Sequence, residues 1–339
     1  METRKVQSTG RSSCTVSLPR EWTEKHDIGG GSVVGLYTLG ETLVITPERD
    51  ESATAERVRI AGLEEGRVSR ALVTLYVCGY DNILLEGDDI DAERRASIRQ
   101  AVNRLTGLEV VDESSDAIRV RSLLDHGEMS TPDVVDRMHA VAGLMLEDAV
   151  TAALDDDEVA AADVLEREED VNRMYAMVLR WFRQCMRDPA ANERSPLALD
   201  THFDFHACAK QLERIADHAA TIADLAGDTG SIPTTTARSI ADLRADARDV
   251  IDRAMEAFLC EDPTEATELA NAVMDDTAAV NERAGRINSR LQDAATDRNE
   301  TVALVVDSIS STAEYGGSIA ESARQKTTES PQLRVRDTD

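Results

Sequence analysis

The larger, C-terminal part of the sequence is a run of long amphipathic helices that repeats itself once, over about residues 131–227 and 236–325. The segment 213–224 (ERIADHAATIAD) recurs in weakened form at 310–321 (SSTAEYGGSIAE). Helix starts are marked by a capping residue followed by proline, a pair that suits the first turn of a helix. Repetition at this scale predicts that each half is one supersecondary unit, which buries its apolar face against its copy. We therefore expect a six-helix region built from two three-helix repeats.

The sequence before this region reads differently. Residues 1–50 show short apolar–polar alternations and glycine-rich turns, which are typical of strands, and Arg20 to His26 fits a short helix. The predicted strands lie near 14–18, 32–37 and 42–45. Residues 51–128 mix helix and strand signals and predict an α+β linker domain. The expected fold class is multidomain and mostly α. Its domains are a small β domain at 1–50, the α+β linker at 51–128, repeat 1 at 129–231, repeat 2 at 232–326 and a disordered tail at 327–339.

Composition excludes several classes of protein. Apolar residues make up 42% of the chain and aromatic residues 3%, which suits a helix bundle better than an aromatic-rich β-sandwich. No apolar run approaches the roughly 20 residues of a membrane span, and the N-terminus lacks a signal-peptide apolar stretch. The five cysteines are scattered and form no CxxC pair, which argues against a zinc ribbon or a disulfide framework. We expect a cytoplasmic protein.

The chain is strongly acidic, with 65 Asp and Glu against 37 Lys and Arg and a formal net charge of −28. Only four of the cations are lysines. Such a chain suits a high-salt cytosol, where self-repulsion is screened, so we interpret the source as halophilic; an acidic interaction surface is the alternative. The charge is uneven, because residues 1–50 hold six basic and seven acidic residues and the remaining chain carries −27. The repulsion between acidic proteins and nucleic acid therefore applies to the body of the chain only.

Carboxylates interrupt the apolar stripes of the helical region. Glu168 lies in the stripe of the second helix of the first half, and Asp276 interrupts the second half at nearly the same point. A carboxylate on a core face is costly unless it is paired or binds a cation. On the third helix, Glu213 and Asp217 stand four residues apart and point the same way, with His206 two turns before them. Carboxylates from facing helices of a bundle hold iron or manganese, whereas an exposed, solvated acidic face is the alternative.

The stretch 213–219 (ERIADHA) closely resembles the Glu-Arg-Ile-Gly/Ala-Asp motif of the PhoU phosphate-uptake regulators. The resemblance covers about 131–325 and implies two three-helix repeats with a divalent or iron cluster (Fe, Zn or Ni) on the bundle. In the second repeat Ser310 replaces the Glu of the motif and Glu314 stands for its Asp, so a complete second cluster is not expected. A purely structural carboxylate network is the alternative. The candidate metal ligands are Glu168, Glu213, Asp217, Asp276 and Glu314.

The first 47 residues resemble a second family, the SpoVT/AbrB swapped-hairpin domains. The combination of this resemblance with the PhoU resemblance implies a protein of archaeal, haloarchaeal type. The order of RKVQSTGR at 4–11, TVSLPREW at 15–22 and LVITP at 43–47 carries this resemblance. It implies a homodimer formed through this domain, with cations placed against DNA, and residues 1–25 carry a local net charge of +2. Dimerisation with ordinary surface cations is the alternative. The candidate DNA contacts are Arg4, Lys5, Arg11, Arg20 and Lys25.

Together the two resemblances imply a regulator of phosphate uptake and phosphate homeostasis. We expect a DNA-binding transcriptional regulator whose PhoU-like helical part senses phosphate status. The alternative is an accessory protein without DNA binding, which docks on and down-regulates a phosphate ABC transporter or its sensor. No enzymatic activity is expected, because the sequence carries no GxxxxGK(S/T), GxSxG or HExxH motif.

Overall fold

The computed structural model describes residues 3–8, 14–39, 42–47, 56–124, 129–293 and 297–328. Within these ranges the protein is mostly helical, with short β hairpins at the N-terminus and a helical bundle in the larger part. None of the helices in the described ranges is both long and apolar enough to cross a membrane. The expected multidomain, mostly α fold class is confirmed.

The N-terminal segment consists of two antiparallel hairpins and one short helix. Its elements are β1 (Gln7–Ser8), β2 (Cys14–Thr15), α1 (Arg20–Lys25), β3 (Val34–Leu39) and β4 (Thr42–Pro47). Strand β2 is shorter than expected, because it pairs with only the two residues of β1, and Pro19 further on precedes the first turn of α1. None of the described residues from 3 to 47 is buried, so this part of the chain has no core of its own.

The linker region is an α+β unit with a four-stranded sheet. Its elements are β5 (Glu56–Arg59), α2 (Glu65–Val77), β6 (Asn82–Glu86), α3 (Ala92–Asn103), β7 (Leu108–Glu113) and β8 (Ala117–Ser122). The strand order is β5-β6-β8-β7, with β5 parallel to β6 and the other pairs antiparallel. Ile83 of β6 and Val120 of β8 are fully buried in one cluster with Leu72 and Tyr76 of α2. Strand β5 was not expected, because its sequence (ERVR) is short and charged.

The helical region contains two three-helix units. Its helices are α4 (Thr131–Asp155), α5 (Glu158–Arg187), α6 (Pro189–Arg194), α7 (Leu199–Asp224), α8 (Thr234–Leu259), α9 (Pro263–Asp293) and α10 (Asp297–Thr328). Helices α4, α5 and α7 form the first unit, α8, α9 and α10 form the second, and α7 packs against α10 where the units meet. One core runs through both, and in it the rings of Phe205 and Phe258 meet edge to face with centroids 5.2 Å apart. Ser130 and Asp157 accept hydrogen bonds from first-turn N–H groups, which determines where α4 and α5 begin.

Arginines of α5 join the linker unit to the bundle. Arg180 is 1% exposed, donates to the carbonyl oxygen of Tyr76 at 2.7 Å and forms an ion pair with Asp81. Its guanidinium also lies 4.8 Å from the centre of the Tyr76 ring. Two turns further along α5, Arg187 donates to the carbonyl oxygen of Cys78 at 2.6 Å. Both cations therefore lie at the C-terminal end of α2, where positive charge interacts favourably with the helix dipole.

A glycine in α4 makes room for an arginine of α8. A Cβ atom at Gly143 would lie 1.6 Å from Nη1 of Arg248. Nε of Arg248 donates to both carboxylate oxygens of Asp252 at 2.9 Å, and the same carboxylate lies 2.7 Å from Nε2 of His139 on α4. Glycine inside a helix costs about 1 kcal/mol relative to alanine. At this position the cost is offset by a hydrogen-bonded link between the two units.

We predict that Gly143→Ala destabilises the protein while Gly285→Ala stabilises it. A methyl group at 143 displaces Arg248 from Asp252, with an expected loss of about 1–2 kcal/mol in the free energy of unfolding. Apart from the backbone of its own helix, no atom of the described chain lies within 4 Å of a Cβ at Gly285. Alanine there should therefore gain about 0.5–1 kcal/mol. Urea unfolding followed by circular dichroism measures both, and equal shifts for the two variants would contradict the prediction.

Candidate functional site

The seam between α5 and α7 brings three of the predicted carboxylates together. The two helices pack antiparallel, so Glu168 near the start of α5 lies beside Glu213 and Asp217 in the second half of α7. The pKa of Asp217 is raised to about 6, first by burial and then by the negative charges of Glu213 and Glu168. The cations of Lys210 and Arg214 act in the opposite direction without cancelling the shift. Because the charges of Glu168 and Glu213 both act on Asp217, we call these three residues the carboxylate triad.

Neighbouring side chains bind the carboxylates of the triad. The ammonium of Lys210 donates to Oε2 of Glu213, one turn along α7, and only 13% of the Glu213 side chain is exposed. Nδ2 of Asn172 donates to Oε1 of Glu168 at 3.2 Å across one turn of α5. The triad thus has a cationic partner at one end and an amide donor at the other. Lys210 was not expected at the site; its i, i+3 spacing to Glu213 in a lysine-poor chain is the signal that identifies it.

Beyond Lys210 the seam continues as a stack of aromatic rings. Nζ of Lys210 lies 4.9 Å from the centre of the Tyr175 ring, and the rings of Tyr175 and His206 stack with centroids 5.9 Å apart. His206 stacks in turn on Phe182 at 5.2 Å, and Phe182 meets Phe203 at 5.9 Å. Phe203, at the end of this ring stack, is 53% exposed. Aromatic residues are only 3% of the chain, so the ring stack is a local feature of this seam.

His206 does not join the carboxylates, because it lies between the rings of Tyr175 and Phe182. Its pKa is lowered by burial and then by the cations of Arg183 and Lys210. These effects favour the neutral imidazole, which suits a ring stacked between two aromatic side chains. The helical spacing placed His206 on the correct side of α7, but its partners on α5 could be known only from the packing.

The second repeat carries a less charged version of the same network. The aligned motifs place Ser310 and Glu314 at the positions of Glu213 and Asp217. Oγ of Ser310 donates to Oδ1 of Asn281 at 2.6 Å, and Nδ2 of Asn281 donates to Oε1 of Glu314 at 3.2 Å. A single carboxylate with hydroxyl and amide partners is satisfied by these hydrogen bonds. The structure therefore brings Glu314 into a network of its own, separate from the triad.

Asp276 lies one residue before the position that corresponds to Glu168 of the first repeat. The Val-Asn pairs of the two halves align Glu168 with Thr277. Neighbouring residues on a helix point about 100° apart, so an offset of one residue changes the face on which a side chain lies. Asp276 forms an ion pair with Arg253 of α8. This interhelical partner satisfies its charge.

Four of the five candidate DNA contacts are exposed among the described residues: Arg4, Lys5, Arg20 and Lys25. Arg11 lies outside the described residues. Arg20 pairs with Glu24 across one turn of α1. The same segment exposes large apolar side chains, namely Val6 (67%), Val16 (46%), Val33 (63%), Leu36 (59%) and Leu43 (56%). It thus presents cations and apolar side chains together.

The chemistry of the triad suits a hard cation, since carboxylate and amide oxygens are the ligands that such ions prefer. In the part of the chain that the structure describes, however, no three His, Cys, Asp or Glu side chains converge closely enough to hold a metal ion. Glu213 is bound instead to the ammonium of Lys210. Carboxylates are thus suitable ligands for a cation, but in this conformation the ammonium of Lys210 binds one of them.

The fold and the seam define a two-unit helical bundle with an acidic site on its first unit. The family model described as PhoU domain matches residues 135–226, which include most of α4 and all of α5, α6 and α7. The matched range contains the whole carboxylate triad. For residues 135–226, this match to the PhoU-domain model supports the resemblance based on the ERIADHA motif.

Two solved structures match the chain at low identity. The crystal structure of PhoU from Pseudomonas aeruginosa is 20% identical with a TM-score of 0.49, and the match covers 57% of this chain and 93% of that one. The crystal structure of the phosphate transport system regulatory protein PhoU from Streptococcus pneumoniae is 16% identical with a TM-score of 0.45, over 57% and 92% of the two chains. No curated protein matches the chain.

We predict that Asp217→Asn raises the free energy of unfolding at pH 7 and that this gain disappears below about pH 4. Because folding raises the pKa of Asp217 from 3.8 to about 6, the folded chain binds this proton more tightly than the unfolded chain. The resulting stabilisation is complete below pH 3.8 and is lost as the pH rises through about 6. Allowing for solvent screening, the variant should gain about 1–2 kcal/mol at pH 7.

Urea unfolding at a series of pH values from 4 to 8 measures this effect. Asp224→Asn, an exposed position on the same helix, is the matched control and should follow the wild-type profile. Parallel pH profiles for the wild type and Asp217→Asn would contradict the prediction.

Proposed function

We propose that this protein regulates phosphate uptake and phosphate homeostasis in the cytoplasm, without catalysing a reaction. The observation that supports this proposal is the PhoU-domain match over residues 135–226, with the ERIADHA motif and the carboxylate triad inside it. The fold alone would not carry a function, because helical bundles serve many. The triad adds a chemical site on which such regulation can act.

The carboxylate triad is the proposed point at which the helical part responds to phosphate status. A divalent or iron ion (Fe, Zn or Ni) would bind there only if the three carboxylates moved closer together than they lie in this conformation, and it would then offset their negative charge. The candidates of the second repeat lie in separate contacts, Asp276 with Arg253 and Glu314 with Asn281, whereas in the first repeat Glu168 and Glu213 both act on Asp217. The first repeat is therefore the proposed site, and the second repeat supports it structurally.

The N-terminal segment pairs two copies of the chain into a homodimer. Its described part contains no buried residue, although five valines and leucines in it are 46–67% exposed. Removing such apolar surface from water gains about 25 cal/mol per Å², and an isolated two-stranded hairpin is marginally stable at best. A second copy with intertwined hairpins supplies the missing core, as the SpoVT/AbrB resemblance implies.

In this dimer the N-terminal cations of both copies contact DNA. The exposed Arg4, Lys5, Arg20 and Lys25 lie in a stretch of net charge +2, whereas the body of the chain is acidic. Phosphate contacts of this kind position a protein on the duplex. Electrostatic repulsion keeps the acidic surface of the body away from the DNA phosphates. A symmetric dimer reads a near-palindromic operator.

Helix α5 connects the triad with the N-terminal half. It carries Glu168 and, about three turns further on, Arg180, which is bound to Tyr76 and Asp81 of the linker unit. A movement of α5 against α7 therefore moves the linker unit as well. Through this connection a change at the triad alters how the paired N-terminal segments meet an operator.

We predict that the protein binds the promoter of a phosphate-transport operon and that Arg20→Ala/Lys25→Ala weakens this binding by about tenfold or more. Each removed cation takes away a phosphate contact, so the dependence of affinity on salt should also become less steep. Gel-shift titrations in multimolar KCl, with the promoter and a scrambled duplex, measure both effects. Light scattering of the complex should show two copies of the chain per duplex.

The matched control is Arg238→Ala/Arg290→Ala, which removes two exposed cations from α8 and α9. It should bind the promoter as tightly as the wild type does. If the wild type shows no preference for the promoter over the scrambled duplex, the DNA-binding part of the proposal is wrong.

An accessory protein that docks on a phosphate ABC transporter or its sensor is the second candidate function. The observation that favours it is the open end of the ring stack, where Phe203 is 53% and Met186 is 59% exposed. Aromatic residues and methionine are enriched at protein interfaces, and methionine adapts its shape to a partner. In this reading the N-terminal segment serves for dimerisation only.

We predict that Phe203→Ser reduces co-purification of a transporter ATPase or its sensor, because an exposed ring at an interface centre contributes about 2 kcal/mol or more to binding. Leu304→Ser is the matched control, since Leu304 is 54% exposed on α10 of the second repeat. Quantitative mass spectrometry of tagged protein from phosphate-replete cells measures the captured partner. Equal capture by the two variants would exclude docking through the ring stack.

A further inference from the structure

A small cavity lies at the edge of the linker sheet where the parallel strands β5 and β6 end. Its volume is about 150 Å³, and it is lined by residues 60–62 after β5, by residues 87–90 after β6 and by Arg94 in the first turn of α3. The carboxyl ends of parallel strands are the edge at which open α/β sheets bind their ligands. None of the lining residues belongs to the carboxylate triad or to the N-terminal cations, so this cavity is a separate feature of the protein.

The cation in the lining of the cavity is Arg94. Its Nη2 donates to the carbonyl oxygen of Ile60 at 2.6 Å and also to that of Leu63. Nε of Arg94 is buried and has no hydrogen-bond partner among the described residues. The next two arginines of α3, Arg95 and Arg99, both pair with the carboxylate of Glu113, whereas the recorded acceptors of Arg94 are neutral carbonyl groups. A partly buried guanidinium without a counter-charge, beside an open cavity, favours the binding of an anion.

The backbone around the cavity has the same preference for negative charge. Helices α2 and α3 both begin at this edge, so the positive ends of their dipoles lie beside the cavity. The first turn of α3 is capped by Asp91, but Glu64 at the start of α2 makes no side-chain cap hydrogen bond. Gly62, with φ 73°, has the left-handed conformation that favours glycine, and a Cβ there would meet no described atom within 4 Å apart from its chain neighbours. The cavity is therefore open on the side of this loop.

Two exposed carboxylates, those of Asp88 and Asp89, complete the lining and restrict the kind of anion. An ionised carboxylate only accepts hydrogen bonds, and it repels an anion that has no proton to donate. Inorganic phosphate keeps at least one proton near neutral pH, whereas sulfate keeps none. A guanidinium beside carboxylates therefore fits hydrogen phosphate, whose charged oxygens accept from Arg94 and whose hydroxyl group donates to an aspartate.

We propose that the linker unit binds inorganic phosphate in this cavity, with Arg94 as the binding cation and Asp88 or Asp89 as the acceptor of the phosphate proton. The bound ion adds a partner to the guanidinium that already joins α3 to the loop between β5 and α2. Helix α2 starts from this loop, and the carbonyl oxygen of Tyr76 near its other end accepts from Arg180 of α5. The linker unit thus has a direct contact with the ion at one end of α2 and with the bundle at the other. The connection of this binding to phosphate uptake rests on the proposed function.

The test is the binding of inorganic phosphate to the full-length chain, measured by isothermal titration calorimetry in multimolar KCl with sulfate as the comparison anion. The wild type should bind phosphate at least about tenfold more tightly than sulfate. Arg94→Gln should weaken phosphate binding by about tenfold or more, because a charge-assisted hydrogen bond is lost. Asp88→Asn/Asp89→Asn should reduce the preference for phosphate over sulfate, since an amide can also donate to sulfate.

Arg104→Gln is the matched control, because it removes an exposed cation at the opposite end of α3. This variant should bind phosphate as tightly as the wild type. Since Arg94→Gln also removes the hydrogen bonds to Ile60 and Leu63, a second variant keeps the guanidinium and narrows the cavity. Ala61→Leu, at a lining residue, should weaken phosphate binding as strongly as Arg94→Gln does. Thermal melts establish that each variant is folded.

Three results would overturn the inference. They are the absence of phosphate binding by the wild type, equal phosphate affinity in the wild type, Arg94→Gln and Ala61→Leu, and equal affinity of the wild type for phosphate and sulfate. The titration contains no promoter DNA and no transporter, so its failure leaves the proposed regulatory function standing. Phosphate binding without promoter preference in the gel shift would instead overturn the DNA-binding proposal and support the site at Arg94.

Discussion

The packing of α7 decides where the chemically active groups of this protein lie. Its apolar stripe is buried against α4, α5 and α10 and consists of Phe205, Cys208, Leu212, Ile215, Ala219 and Ile222. Because successive residues turn by about 100° around a helix, the residues next to this stripe lie at its edges, and one edge faces α5. Glu213 and Asp217 occupy that position. The packing that buries the stripe therefore also partly buries the two acids.

This constraint brings like charges together, and the two repeats respond to it differently. In the first repeat the charges remain, burial and mutual repulsion raise the pKa of Asp217, and Lys210 binds Glu213. In the second repeat Ser310 donates to Asn281, and one carboxylate is left. The same helix packing is stable with the less charged set of side chains. The fold therefore does not require the carboxylate triad. Because the triad costs free energy that the fold does not need to spend, its presence is the physical argument for a functional role.

Helical periodicity predicted the triad because each carboxylate stands at a fixed angle to an apolar stripe, and the stripes are long. The same reasoning put Asp276 at nearly the same point of its own stripe, but it did not indicate the ion pair of Asp276 with Arg253 of α8. Arg180 bonds to Tyr76, 104 positions earlier in the chain, so no local pattern indicates their contact. Strand β5 likewise depends on parallel pairing with β6 and has little strand signal in its own four residues. Local patterns predicted the helices and the faces they bury, while partners from distant segments required the packed structure.

The N-terminal segment differs from the bundle in its burial, because its hairpins pair without burying any described side chain. A two-stranded hairpin is marginally stable in water on its own, which is why the proposed homodimer assigns its exposed valines and leucines to a partner surface. At 1 M salt the screening length falls to roughly 3 Å, so charge would act on this surface only at short range. In the proposed high-salt cytosol, the −27 of the body would be screened from a duplex that the segment touches, and only cations in direct contact with phosphates would contribute. The proposed DNA binding therefore depends on the placement of Arg4, Lys5, Arg20 and Lys25 and not on the net charge of the chain.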